Sequence, residues 1–265
     1  MRNWLLPIRV LILFLFLLTL GACFALAASD DTIWFSLIRN LALLAASSLS
    51  VFFILQKLDL VSPPRIEHRL ITYLILCLLF DPLLPWWIFL ALGATTELLQ
   101  RLIRTPSGPF INPAAFGALL FSFIGYAPSW WGVSYAPRIV IFENNISIAL
   151  FLTLLCAGYV AYRYRKLATV LAALIVLAAG SLILFGTNPF FVMTEGTLIF
   201  FLFVMAIEPK TSPILQKEQC IYGGMIGALI ALGLYFHFTE TYLSSLVIAN
   251  LYHQRRFLRT FIAAK

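Results

Sequence analysis

The stretch HRLITYLILCLLFDPLLPWWIFLALGATTELLQRLI, His68 to Ile103, decides the fold. Both arms are apolar in the way a membrane helix is, where about 20 residues at roughly 1.5 Å each cross a hydrocarbon layer some 30 Å thick. Between the arms, Asp81-Pro82-Leu83-Leu84-Pro85 sets two helix breakers and a charge. One long helix is therefore disfavoured and a tight hairpin is expected. The first arm is short for a full crossing, which leaves a re-entrant or broken segment open there.

Outward from this hairpin, apolar runs recur at about 8–28, 33–55, 68–82, 85–103, 113–127, 145–162, 168–186, 190–207, 219–236 and 240–254. The run at 113–127 is also short. Of 265 residues, 62% are hydrophobic and 11% charged, against about 25% charged in soluble domains. The expected fold is all-α: one polytopic transmembrane domain over residues 1–265 with about ten helices. Two inverted five-helix halves are allowed by that number. Ile111-Asn112-Pro113 and Thr187-Asn188-Pro189 each open a run, but at different places in their halves. The connectors are too short for a nucleotide-binding domain.

The net charge of +7 is spread over loops, so it does not form the basic stripe of a nucleic-acid binder. If the chain starts inside and alternates, all of its 18 Lys and Arg except Arg39 and Arg138 face the cytoplasm, as the positive-inside rule requires. Both termini are then cytoplasmic, in the cell membrane. Arg2, Arg9 and the apolar run ending in Ala25-Leu26-Ala27 resemble a signal peptide, with a lipobox-like Leu20-Gly21-Ala22-Cys23 inside. The length of that run favours an uncleaved signal-anchor as helix one. Cys23, Cys77, Cys156 and Cys220 have no paired spacing and read as packing residues, with no metal site.

Candidate chemistry falls in few places. Asn112 and Pro113 have the form of an N-cap and first helical residue. Ala114, Ala115 and Gly117 would then let a ligand or a helix approach a positive helix end. Glu208-Pro209 should end the eighth run, and Gly223, Gly227 and Ala231 share one helix face suited to close packing. Glu97, Glu195 and Glu208 are the carboxylates considered for an ion pathway, since ionisable groups in a membrane are costly. Glu97 has Arg101 one turn later, an ion pair in the simplest reading. His68, His237 and His253 lie near membrane ends and not all on one side, so paired axial haem ligation is not expected. A nucleophile and base arrangement is not evident.

Pro82-Leu83-Leu84-Pro85-Trp86-Trp87, Asn112-Pro113-Ala114-Ala115-Phe116-Gly117, and Glu208-Pro209-Lys210-Thr211-Ser212-Pro213 with Tyr222-Gly223 and Gly227 occur in that order. Together they resemble the NqrB/RnfD family, the membrane subunit shared by the sodium-translocating NADH:quinone reductase and the Rnf electron transport complex. The chain has the form of a divergent member, similar over residues 60 to 254. The resemblance implies a ten-helix membrane subunit that passes electrons within a larger complex, coupled to movement of sodium ions or protons. It also implies other membrane subunits and a separate flavoprotein or iron–sulfur protein as partners.

That family links FMN through a phosphoester to a threonine after the helix opened by the equivalent of Asn112. The corresponding loop, Pro128-Ser129-Trp130-Trp131-Gly132-Val133-Ser134-Tyr135-Ala136-Pro137-Arg138, has no threonine. Covalent FMN is therefore not expected. Any FMN or riboflavin would be held non-covalently, with Asn112, Pro113, Ala114, Trp130, Trp131, Thr194 and Thr197 as the candidate contacts and aromatic faces for stacking. An interfacial aromatic belt is the plainer role for the two tryptophans. A small-solute channel or carrier and a non-redox scaffold subunit remain the alternatives to electron transport.

Overall fold

A computed structural model describes residues 6–27, 32–58, 66–105, 108–134, 148–186 and 195–255. Arg138, Thr187-Asn188-Pro189 and Thr194 lie outside the described residues. The described chain is helical apart from one two-residue antiparallel bridge, β1 (Arg104–Thr105) with β2 (Gly108–Pro109). Its helices are α1 (Pro7–Ala27), α2 (Thr32–Lys57), α3 (Ile66–Leu79), α4 (Trp86–Leu102), α5 (Pro113–Phe123) and the short α6 (Trp131–Ser134). They continue with α7 (Ile148–Arg163), α8 (Leu167–Gly180), α9 (Gly196–Phe200), α10 (Gln216–Tyr235) and α11 (Thr241–His253). Five-residue π turns extend α8 through Phe185 and α9 through Met205.

Each of the expected apolar runs holds one of these helices. Among the described residues, four stretches are long and apolar enough to cross a membrane: α1, α2, α8 with its π turn, and α10. On them, side chains such as Phe35, Ile38, Ile175 and Ile183 are largely exposed. Apolar surface on that scale suits a hydrocarbon solvent and not water.

Local chemistry sets the helix ends. After α3 the Asp81 carboxylate accepts the Leu83 N–H at 2.8 Å, and the Asn40 amide of α2 donates to the Pro82 carbonyl at 2.8 Å. The hairpin is thus held by a side chain from a third helix. The fifth run extends to 127 in the sequence, yet α5 stops at Phe123. Gly125 has φ +93°, Tyr126 N–H donates to the Phe121 carbonyl and Gly125 N–H to that of Ser122, a Schellman termination. Arg165 (φ +56°) and His237 (φ +55°) end α7 and α10 by the same bonds.

Helix packing repeats along the chain. In the first half α1 packs on α3, α2 on α4, and α4 on α5; in the second, α7 packs on α9, α8 on α10, and α10 on α11. The halves meet through their first helices, α1 with α7, and their last, α5 with α11. Glycine permits the tightest pairs. A β-carbon at Gly93 would meet Ser47 and Leu44 of α2, and one at Gly223 or Gly227 would fall on the Thr169 or Ala173 carbonyl of α8. Ala231 of the same α10 face touches the position of Gly180.

The repeat also relates two turns that the sequence patterns do not align. Asp81-Pro82 follows α3 and Glu208-Pro209 follows α9, the third helix of each half. In both halves the second helix, or the residue just before it, donates a side-chain N–H to the turn: Asn40 to Pro82, and Lys166 to Ser212 and Pro213.

Candidate functional site at Glu208

Asn112 caps α5 as its sequence position implies, its side-chain oxygen accepting the Ala115 N–H at 3.0 Å with Pro113 in the first turn. Its amide nitrogen reaches the Met205 carbonyl, at the end of the π turn of α9, at 3.4 Å. The start of α5 and the end of α9 therefore face each other, and Glu208 is three residues beyond that end.

The connector from Ala206 to Leu215 is irregular yet heavily bonded. The Glu208 carbonyl accepts the N–H groups of Thr211 and Ser212 and the Ser212 hydroxyl, and the Thr211 hydroxyl donates to the Glu208 carboxylate at 3.1 Å. Lys166, only 3% exposed, donates its ammonium to the Ser212 and Pro213 carbonyls. Gln219 donates to the Arg165 and Ile214 carbonyls at 2.9 Å each. Burial pulls the Lys166 ammonium down to about 8, the cost of desolvating a charge whose partners are neutral carbonyls.

Asn250 of α11 ties this connector to the Asn112 cap. In the amide orientation that satisfies every neighbour, its nitrogen donates to the Thr211 carbonyl at 3.2 Å and to the Tyr222 hydroxyl at 2.6 Å. Its oxygen accepts the Asn112 backbone N–H at 3.1 Å. Asn250, Tyr222, Thr211 and Asn112 are all at most 3% exposed, and buried polar groups of this kind require such partners.

Beside this node lies a cavity of about 40 Å³ between α1, α3, α5, α7 and the connector. Its polar lining comes from His68, Thr72, Asn112, Tyr164 and Glu208, among apolar side chains. The space suits about three or four waters or a partly dehydrated cation, at roughly 10–15 Å³ for each water. It is too small for a flavin ring system. Desolvation pushes the Glu208 carboxyl up to about 7, against the opposing hydrogen bond from Thr211 and the charge of Lys210. A carboxyl raised in this way beside a cavity marks Glu208 as the candidate for cation or proton handling.

The other sequence candidates lie elsewhere. Glu97 is 2% exposed and accepts from Arg69 at 2.8 Å, Arg101 at 2.9 Å and the Ser48 hydroxyl at 3.0 Å. The expected pair with Arg101 is present, and Arg69 adds a second cation. Phe52 lies beneath both guanidiniums, 4.4 and 5.4 Å from its ring centre. Glu97 is thus an ionic tie among α2, α3 and α4.

At the far end of α5 and α9 sits a separate aromatic group. Tyr242 donates to Glu195 at 2.8 Å, and its ring lies 5.7 Å from Trp130 and 5.5 Å from Phe201. Trp131 is 4% exposed and gives its indole N–H to the Cys77 carbonyl at 2.7 Å, which leaves no free face for stacking. Thr197 is buried in the first turn of α9. Asn112, Pro113 and Ala114 on one side, and Trp130, Trp131 and Thr197 on the other, therefore do not frame one cradle among the described residues.

Asn250 and Lys166 were not singled out by sequence reading. The signal available was a polar side chain within an apolar helix for Asn250, and for Lys166 a position inside a basic cluster that gives no hint of burial. Among the described residues, no group of three or more His, Cys, Asp or Glu is arranged to hold a metal ion. No family model matches the chain, and no curated protein is significantly similar to it.

Proposed function

We propose that this chain is a divergent membrane subunit of an Rnf/Nqr-type electron transport complex, with the Glu208 cavity as its cation-handling site. One observation carries the reading. The middle and last of the segments on which the family resemblance rests meet around Asn250, and their meeting point borders a cavity holding a carboxyl poised near neutrality. A sequence likeness confined to helix starts and stops would give no reason for the two to share a node.

In this reading Glu208 exchanges a proton, or exchanges its proton for a sodium ion, from the side bearing the basic connectors. Asn112 and the start of α5 fix one wall, and Lys166 holds the connector rigid behind it. A flavin of the complex would supply one- and two-electron chemistry between donor and acceptor. Because the candidate contacts do not frame one cradle among the described residues, such a flavin would be held non-covalently on a partner subunit. The protein sits in the cell membrane with cytoplasmic termini, its ten helices arranged as two inverted halves; the repeated helix packing supports that arrangement.

The test is an absorbance and fluorescence spectrum of the detergent-purified protein, alone and with its partner subunits, before and after acid precipitation. Flavin in the supernatant, or a redox centre that appears only with partners, is expected. Absence of any redox centre and of quinone reactivity in both preparations overturns the electron-transport reading. The repeated packing and the small cavity favour one other reading, a small-solute carrier, for which uptake of small neutral solutes into liposomes is the corresponding assay.

A further inference from the structure

A second cavity, of about 180 Å³, opens where the start of α10 meets the end of α11. It is lined by Glu218, Ile221, Tyr222, Tyr252, His253 and Arg255. None of these residues belongs to the Glu208 cavity. Because α10 is long and apolar enough to cross a bilayer, its first turn lies at a membrane edge, where headgroups are the neighbouring chemistry.

The lining has a particular charge arrangement. Glu218 and Arg255 share one cavity, yet among the described residues the ion pairs within 4 Å are Arg69–Glu97 and Arg101–Glu97. The two charges are thus more than 4 Å apart on the lining of one cavity, and the His253 imidazole, which also lines it, lies within the field of Glu218. Arg255 is fixed by stacking 3.8 Å from the centre of the Tyr252 ring, which costs it little further entropy when it binds. The inner wall is rigid, since Tyr222 is 1% exposed and its ring lies 6.2 Å from that of His253. The outer wall, Ile221, is 56% exposed beside the opening.

We infer that this cavity binds a zwitterionic phosphoethanolamine headgroup, its phosphodiester at Arg255, its primary ammonium at Glu218 and its acyl chains along Ile221. A guanidinium gives a phosphodiester two parallel hydrogen bonds. An ammonium has three N–H donors for a carboxylate, whereas a trimethylammonium has none. A purely anionic headgroup would bring its charge toward Glu218, and a simple cation would meet Arg255. The space is many times what a single water needs. The inference requires only that α10 spans the bilayer and stands apart from the electron-transport reading.

Native mass spectrometry of the full chain in detergent, titrated with phosphatidylethanolamine, phosphatidylcholine and phosphatidylglycerol of matched chains, tests it. A preference of at least tenfold for phosphatidylethanolamine over both others is expected. Glu218→Gln should reduce that lipid to the level of phosphatidylcholine, and Arg255→Gln should weaken all three. Glu218 is half-buried and Arg255 exposed, and unchanged helicity and elution check that the variants fold. Displacement by soluble glycerophosphoethanolamine identifies the free headgroup as a ligand, and lack of displacement identifies the membrane lipid; either upholds the recognition. Equal wild-type binding of the three lipids, or unaltered selectivity in Glu218→Gln, overturns the inference.

Discussion

The side-chain carbonyl of Asn250 accepts the backbone N–H of Asn112 at 3.1 Å, joining the last described helix to the cap of α5. The same amide holds Thr211 and Tyr222, so a single side chain ties four segments distant in sequence. Removing it leaves buried donors and acceptors unpaired, at about 1–3 kcal/mol for each. Asn250→Ala is expected to lower the thermal stability of the detergent-solubilised protein by several degrees. Asn250→Gln, longer by one methylene, should recover only part of the loss. A melting curve for Asn250→Ala identical to wild type would remove the node from the account.

Glu208 makes stability depend on pH with a defined sign. Its folded pKa, about 7, lies above the ordinary carboxyl value of 4.5, so the folded state holds the proton more tightly. The favourable contribution is complete below about 4.5 and is lost as pH rises through 7. Thermal inactivation should quicken between pH 5 and pH 8, and Glu208→Gln should flatten that slope and slow inactivation at pH 8. The difference is at most about 3 kcal/mol, from about 2.5 pKa units at 1.36 kcal/mol each. An unaltered slope in the variant would contradict the assignment.

Glu97 balances two buried guanidiniums, and removing one member of such a group costs about 3–5 kcal/mol. Glu97→Gln should sharply reduce the yield of monodisperse protein. Replacing the group together, by Arg69→Met, Glu97→Leu and Arg101→Met, should restore much of it. Size-exclusion profiles of the single and triple variants decide the matter. A harmless Glu97→Gln would mean that the ionic tie contributes little.

Glycines on one face of α10 separate contact from composition. Gly223 and Gly227 lie against α8 backbone carbonyls, whereas a β-carbon at Gly224 would be an ordinary 3.6 Å from Val176. Gly223→Ala and Gly227→Ala should each cost roughly 1–3 kcal/mol by overpacking, and Gly224→Ala little. Melting temperatures of the three variants read this directly.

Much of the fold was legible because helix punctuation is local. The break at Asp81-Pro82, the cap at Asn112-Pro113 and the glycine face of α10 each follow from a residue's own backbone or size. The early end of α5 was less so, since Gly125 is one glycine in an apolar run and its role depends on adopting φ +93°. The π turns at Ser181–Phe185 and Phe201–Met205 leave no pattern in residue type. The site was legible only in pieces. Asn112 and Glu208 could be singled out alone, but their shared cavity depends on Asn250 and on five separate segments coming together. Arg69 as the second partner of Glu97, and the burial of Trp131 against the end of α3, are tertiary facts that a periodicity cannot contain. The equivalence of Asp81-Pro82 and Glu208-Pro209 was readable in principle, as an acid–proline turn after the third run of each half. The two asparagine–proline pairs are the more conspicuous signal in the sequence, and they open runs at different places along it.

The most direct measurement is cation movement and electron flux, recorded together, in proteoliposomes holding the assembled complex with wild-type or Glu208→Gln subunit. The expected result is electron flux within about twofold of wild type with cation uptake at least tenfold lower, and recovery of uptake by Glu208→Asp. Uptake in Glu208→Gln equal to wild type at equal electron flux would rule out Glu208 as the cation-handling group.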